Sequence, residues 1–470
     1  MITAPLITEM MPHQTTAADK VGRLVVGALF MDMGTGKSRT AMEIVARRSG
    51  RISRVVWFTP VSLKETVRRE ILKHDPSASV HVFDQQTKQR DMPEAFWYVV
   101  GIESMSSSRR VILAVSSIVD SRTMIILDES GYIKNHRASR TKWITQIGLK
   151  ARYRLILTGT AITQGVQDLY SQMRFLSPEI LGYKSYYSFA RNHIVYSEKF
   201  RGMIKKCLDV DWIAARIAPY TYQVTKDECL ELPQKIYETR WFRMNDEQDE
   251  MYEKAKQEIL SEIDADSWTS YAVFRAFTAL QCITCGFWNR RRNGRDTEHL
   301  TVKHDRLKLL IDTVSEIPDG EKVIIWAKYR RCVEEITSAL NAEFGGQACR
   351  YYGDLNEAAR EGELVRFRGN ERFLVATPST GGHGLNLTEA AYVIYYTNGF
   401  KYSERIQSED RCHRIGQSRR VTYIDIVCSD SIDERIQDAL ARKVNIVSEF
   451  RAKVESMRDK KTLKEAIRSL

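Results

Sequence analysis

The stretch Met124-Ile125-Ile126-Leu127-Asp128-Glu129 decides how this chain is organised. It is an apolar run of strand length that ends in two carboxylates. Two acids at a strand end have distinct uses. Asp128 can bind the shell of a Mg²⁺ ion, and Glu129 can polarise an attacking water. A strand capped by a solvated acidic turn is the plainer alternative. It does not account for what lies about 90 residues upstream.

Upstream, Met33-Gly34-Thr35-Gly36-Lys37-Ser38 follows an apolar stretch ending at Phe30. Met31 stands where the strict P-loop pattern has its first glycine, but the core Gly-x-Gly-Lys-Ser is intact. Gly34 and Gly36 let the backbone curl around Thr35 so that amide N–H groups face phosphate oxygens, and the following helix start adds positive potential. Lys37 would reach the β- and γ-phosphates of ATP, and Ser38 would hold Mg²⁺. Downstream, Leu157-Thr158-Gly159-Thr160 is a second strand running into a hydroxyl-rich turn. Thr158 and Thr160 can hydrogen-bond to the acidic strand end and to nucleic acid, although Thr-Gly-Thr is also an ordinary turn. Far along the chain lies Gln407-Ser408-Glu409-Asp410-Arg411-Cys412-His413-Arg414-Ile415-Gly416-Gln417. A helix would place Arg411 and Arg414 on one face, where a guanidinium can neutralise charge on a transferring phosphoryl group. A charged exposed helix is the alternative.

Around these motifs the pattern is α/β. Residues 1–180 alternate short apolar runs (24–30, 55–59, 97–102, 124–127 and 154–157) with helical stretches, as a parallel sheet with crossover helices requires. Residues 181–300 are rich in tyrosine, arginine and helical periodicity, with a break at Leu232-Pro233, and predict a helical insert and linker. From 301 to 440 the alternation returns, with strands near 322–327, 373–377, 392–396 and 421–427. Residues 441–470 predict a basic helical tail; these 30 residues hold nine Lys or Arg against four acids and no proline or glycine.

The 470 residues carry 71 Lys or Arg and 60 Asp or Glu, a net charge of +11, which suits a polyanionic partner without demanding one. No apolar run approaches the ~20 residues of a membrane span, and no signal pattern opens the chain. The expectation is a soluble protein without a membrane partner, in the cytoplasm of a prokaryotic cell or of a phage's host. The eight cysteines are scattered, as reduced thiols are. Cys282 and Cys285 have CxxC spacing, but only His299 and His304 lie close enough to help, so a buried pair on a helix is expected rather than a metal site.

Taken in order, these segments resemble superfamily 2 helicases, and most of all the SNF2 family, over nearly the whole chain. The most specific stretch is Asp128-Glu129-Ser130-Gly131-Tyr132-Ile133-Lys134-Asn135, where the family has Asp-Glu-x-His-x-Ile-Lys-Asn. Leu157 to Ala161, Asp168-Leu169-Tyr170 and Phe175 to Pro178 continue the match. So do Thr380-Gly381-Gly382-His383-Gly384-Leu385-Asn386-Leu387 and Asp410 to Gln417. Pro12-His13-Gln14 resembles an adenine-reading motif and Thr59-Pro60 a nucleic-acid motif.

The resemblance implies two RecA-like lobes with ATP between them. It implies that Gln14 reads adenine, and that Lys37, Ser38, Asp128 and Glu129 bind and cleave MgATP. Gln407, Arg411 and Arg414 would complete the site, Gly384 and Asn386 would couple the lobes, and Thr59, Ser104 and Thr380 would touch the nucleic-acid backbone. The implied activity is a DNA-dependent ATPase that translocates on duplex or branched DNA, with protein partners unspecified; a strand-separating helicase on DNA or RNA is the alternative. Gly131 departs from the family's linking histidine, Ala161 from a common proline, and Asn398-Gly399-Phe400-Lys401 from an Asp-x-Trp-Asn-Pro-like segment. A nucleic-acid scaffold with a dead ATPase would have lost Lys37, Glu129 or an arginine, and all are present. A P-loop kinase would lack the Thr-Gly-Thr and the distal arginine set. Without bromodomain-like, SANT-like or chromodomain-like additions, the sequence is expected to be a minimal motor of the kind found in bacteria, archaea or phages.

Overall fold

The computed structural model describes residues 6–159, 165–196, 204–262, 270–292, 296–381 and 385–443. The chain divides into two compact units, Met1–Glu231 and Leu232–Leu470.

The strands of the first unit are β1 (Val26–Met31), β2 (Arg54–Thr59), β3 (Val80–Val82), β4 (Trp97–Gly101), β5 (Thr123–Leu127), β6 (Tyr153–Thr158), β7 (Ile194–Tyr196), β8 (Ile204–Cys207) and β9 (Thr221–Val224). Seven of them form one sheet in the order β3-β4-β2-β5-β6-β1-β9, parallel at every pairing. Helices cross over between the parallel strands, so both sheet faces are covered, and the strands therefore appear as unbroken apolar runs. Successive residues enter opposite cores. Ile125 and Leu127 of β5 join Val56 and Phe58 of β2 on one face. Met124 and Ile126 join Val55 and Trp57 on the other. Full burial of one such large side chain stabilises by about 1.5–3 kcal/mol.

The second unit holds β10 (Lys235–Phe242), β11 (Phe287–Arg292), β12 (Asp296–Thr301), β13 (Val323–Trp326), β14 (Ala348–Tyr351), β15 (Phe373–Ala376), β16 (Tyr392–Tyr395) and β17 (Val421–Cys428). Its main sheet runs β10-β17-β16-β13-β15-β14, again parallel throughout. The same alternation holds: Val323 and Ile325 point into one core, Ile324 and Trp326 into another. Cys282 and Cys285 lie in the first of these cores.

Residues 181–300 differ from a purely helical insert. Helices Tyr186–His193, Val210–Ile217, Asp246–Glu262 and Ser270–Thr284 are present. So are the antiparallel hairpins β7–β8 and β11–β12. In addition, β9 extends the first sheet beside β1, and β10 extends the second beside β17. Edge strands are wetted, so Lys235-Ile-Tyr-Glu-Thr-Arg-Trp-Phe242 carries no apolar run to betray it. The two units divide between Glu231 and Leu232, immediately before Pro233. Beyond the helix Ile432–Ala441, residues 444–470 lie outside the described residues. Among the described residues, no helix is long and apolar enough to cross a membrane.

Candidate functional site

In the first unit the carboxyl ends of adjacent strands gather the expected residues in one row. Across β4, β2, β5, β6 and β1 they present Ser104, Thr59, Asp128 with Glu129, Thr158, and the loop leading to Lys37. This is the edge at which open parallel sheets bind ligands.

The loop after β1 is built for close approach. Gly34 has φ 81° and Gly36 φ 85°, left-handed values that glycine adopts without a steric penalty. A Cβ at Gly36 would stand 2.0 Å from Gln14 Nε2. Gly36 caps the helix Lys37–Ala46, whose first turn carries Ser38. Lys37 Nζ donates to the carbonyl oxygens of Met31 at 2.8 Å and Asp32 at 3.1 Å. Thr35 is fully buried, and its hydroxyl donates to Asp32 O at 2.8 Å. Two neighbours from the helix Pro12–Gly22 converge on the carbonyl of Thr35: Gln14 Nε2 donates to it at 3.1 Å, and His13 Nε2 lies 2.8 Å from it. Sequence reasoning assigned Gln14 and passed over His13, although the two are adjacent.

Burial raises the Asp128 carboxyl to about 7, the charge of Glu129 adds to the rise, and Lys37 opposes it. An acid held in this way gains from a nearby divalent cation, and Lys37 with the loop amides offers phosphate oxygens what they need. The donor set therefore fits a nucleoside triphosphate with a hard metal ion. Glu129 itself is left-handed, with φ 46° and ψ 55°. For a residue with a Cβ that conformation costs about 1–2 kcal/mol, so its surroundings must hold it there. Its N–H donates to Asp128 Oδ1 at 2.9 Å, and its carbonyl accepts from Tyr132 N at 2.9 Å.

The three residues implied in backbone contacts are placed unequally. Thr59 is fully buried and its hydroxyl has no hydrogen-bond partner among the described residues. Ser104 is half-buried at the start of the helix Ser104–Ser107. In the second unit Thr380 is half-buried in the turn Pro378–Gly381 after β15. Asn386 is exposed. Thr160, Ala161 and Gly384 lie outside the described residues.

Gln407 belongs to the helix Tyr402–Glu409, but that helix stops before the arginines. Arg411 and Arg414 therefore do not share a helical face, as the spacing predicted. They sit in the turns that follow, where the N–H groups of Cys412 and His413 both bond back to Glu409 O and Gly416 takes φ 101°. The two guanidiniums nevertheless converge, each donating to the carbonyl of Leu385, at 3.5 Å and 3.3 Å. Arg411 is buried and also donates to Gln407 O at 3.0 Å; Arg414 is only half-buried.

The base of this helix is fixed by buried charge. Arg405 pairs with Glu409 at 2.8 Å and with Asp425 of β17 at 2.5 Å. Lys235 and Tyr237 of β10 both donate to Glu409 Oε2 at 2.8 Å. Burial pushes the Glu409 carboxyl up, but Arg405 and Lys235 outweigh it and hold the group below its ordinary value. The departing segment 398–401 serves the same frame. Asn398 Nδ2 donates to Asp425 Oδ1 at 2.7 Å, and the Phe400 ring lies 3.1 Å from Lys328 Nζ. Lys328 went unremarked in the sequence, because nothing local shows that Phe400 covers it.

The arginine-rich and tyrosine-rich stretches of residues 181–300 are placed as follows. The segment Arg290 to Arg295 is in part a strand: Arg290 lies in β11, paired with Glu258 and with Glu298 at 3.6 Å, while 293–295 lie outside the described residues. Of the tyrosines that open residues 181–300, Tyr186 stacks on His136 at 3.7 Å and Tyr183 packs against Phe189 and His193. Only Tyr187 is largely exposed.

Residues 21–285 match the SNF2-related domain, and residues 305–416 match the helicase conserved C-terminal domain. A protein of Mycoplasma pneumoniae described as an uncharacterized ATP-dependent helicase is 24% identical over 432 residues, covering 90% of this chain and 40% of the relative. The TATA-binding protein-associated factor mot1 of Aspergillus fumigatus is 23% identical over 517 residues, 95% of this chain and 27% of its own length. The chain thus spans less than half the length of these curated relatives. Among solved structures, the Sulfolobus solfataricus SWI2/SNF2 ATPase core in complex with dsDNA is 22% identical with a TM-score of 0.43, covering 99% of this chain and 98% of that one.

Proposed function

This chain belongs to the SNF2-related family, and on that premise we propose that it is a DNA-dependent ATPase that couples hydrolysis to translocation on duplex or branched DNA. The observation that carries the proposal is the convergence, along one sheet edge, of Lys37 on its left-handed glycine loop with the half-buried acid Asp128 and its neighbour Glu129.

In this assignment Gln14 contacts adenine, and the loop amides and Lys37 bind the β- and γ-phosphates. Ser38 and Asp128 hold Mg²⁺, which when bound neutralises phosphate charge. Glu129 orients and polarises the attacking water. We assign Arg411 and Arg414 to the charge that develops on the phosphoryl group, Gln407 to completing the nucleotide site with them, and Thr158, Thr160, Gly384 and Asn386 to coupling. Ser104 and Thr380 are assigned to phosphate contacts, which carry no base sequence information, so the motor is expected to be sequence-indifferent. Thr59 keeps that role only if its buried hydroxyl becomes reachable when DNA binds.

The test is the ATPase rate with no nucleic acid, duplex DNA, single-stranded DNA and RNA, together with triplex displacement and fork unwinding. Stimulation chiefly by duplex or branched DNA, with ATP-dependent displacement of a third strand, is the expected result. Efficient fork unwinding without triplex displacement would transfer the assignment to a strand-separating helicase.

A further inference from the structure

We propose that Gln172 is a positioning residue for the water-activating turn, holding Glu129 in place through Ser130. The proposal rests on the assignment of Glu129 to the water step.

The turn after Glu129 is gripped by one face of the helix Gln167–Leu176. Asp168, Ser171 and Gln172 stand at i, i+3 and i+4, which a helix brings to one side. Ser130 and Gln172 are both fully buried, and Ser130 Oγ donates to Gln172 Oε1 at 2.5 Å. The other end of that amide is anchored, with Nε2 donating to Asp168 O at 2.8 Å. Four residues further along the turn, Ser171 Oγ donates to Lys134 O at 3.2 Å, and Lys134 Nζ lies 3.8 Å from Asp168 Oδ2. The helix therefore holds the turn at both ends.

Glu129 is a left-handed residue bearing a side chain, and it stays so only if its neighbours leave it no alternative. Gly131 has no side chain with which to help, and a Cβ there would meet nothing within 4 Å among the described residues. Ser130 is the residue next to Glu129, and its one side-chain oxygen is spent on Gln172. Without that bond the turn can relax and carry the Glu129 carboxylate away from the water it must face. A displacement of about 1 Å at a reacting centre lowers rate by about 10²-fold.

The experiment uses the full chain with Ser130→Ala, Gln172→Leu and the double variant, measuring kcat and KM for ATP with and without duplex DNA, and the unfolding temperature. Each single variant should lower kcat about tenfold or more, with KM held within about threefold, because the loss falls on the chemical step. The double variant should be no worse than the poorer single, since both act through one bond and the pair can be replaced by apolar groups. Wild-type kcat in either folded single variant overturns the proposal. So does a fall in kcat that only tracks the loss of folded protein, or a double variant whose defect is the product of the two. Should Gln172→Leu fail to fold, Ser130→Ala, which removes only a hydroxyl, decides by the same split. Glu129→Gln is run alongside. Full turnover in that variant removes the Glu129 assignment and this proposal with it, whereas its loss beside normal kcat in Ser130→Ala and Gln172→Leu removes this proposal alone.

Discussion

Gln14 donates its side-chain N–H to the carbonyl oxygen of Thr35 at 3.1 Å, so the residue proposed to contact adenine is already fastened to the glycine loop. Its Oε1 accepts from Met11 N at 3.1 Å. An amide has two donors and two acceptor sites, which leaves one of each to meet a base. Gln14→Ala should weaken ATP binding by about tenfold, the value of one to two hydrogen bonds, and erase preference for ATP over GTP. Competition binding checks both. Retained affinity and selectivity would reduce Gln14 to a clamp on the loop.

Arg411 and Arg414 should separate on mutation. An arginine acting on the transition state is worth about 10³–10⁵ in kcat. Both replacements by Ala should lower kcat far more than they weaken ATP binding. Arg411 is also buried against the carbonyls of Gln407 and Leu385. Arg411→Ala should therefore lower the unfolding temperature as well, while half-buried Arg414 should not. Losses under tenfold in kcat at both positions would return them to a structural role.

Lys328 gives the second unit a pH dependence of known sign. Burial lowers its ammonium from 10.5 to about 7, although the Phe400 ring and a hydrogen bond to Gln281 Oε1 at 2.8 Å favour the charge. Between those values the folded protein holds Lys328 neutral and the unfolded chain protonates it. Unfolding then takes up about one proton, and stability rises as pH goes from 7 towards 10. Denaturant titrations across that range, with Lys328→Met as the control that flattens the rise, test it. A wild-type slope no steeper than the variant's would show that Lys328 stays charged.

Arg290 should not contribute to the salt dependence of DNA binding. It is already paired with Glu258 and Glu298. Removing one cation that neutralises a phosphate flattens the log-affinity against log-salt slope by about one unit. Arg290→Ala is expected to leave that slope unchanged, and a drop of one unit would put Arg290 on the DNA.

Much of this was legible because it is local. The β5 run Thr123–Leu127 is apolar at every position after its first residue, since it is buried on both faces, and the glycines of residues 33–38 announce the backbone they must adopt. The order of the motifs along the chain was enough to suggest two α/β units. The edge strands β9 and β10 were not legible, because strands half-open to water need no apolar run. Nor could the spacing of Arg411 and Arg414 reveal that the helix ends at Glu409, since the same three-residue spacing also fits a turn.

What the sequence determined by itself is the chemistry on offer: a lysine on a glycine loop, paired acids and distal arginines, each marked by its immediate neighbours. What only the tertiary structure decided is which partner each side chain has. Gln14 reaches Thr35 across 21 positions, Ser130 reaches Gln172 across 42, and Asn398 reaches Asp425 across 27. Such pairs depend on which strands lie side by side and which faces the helices bury, and chain folding sets both through non-local packing that leaves no periodic trace in the residues themselves.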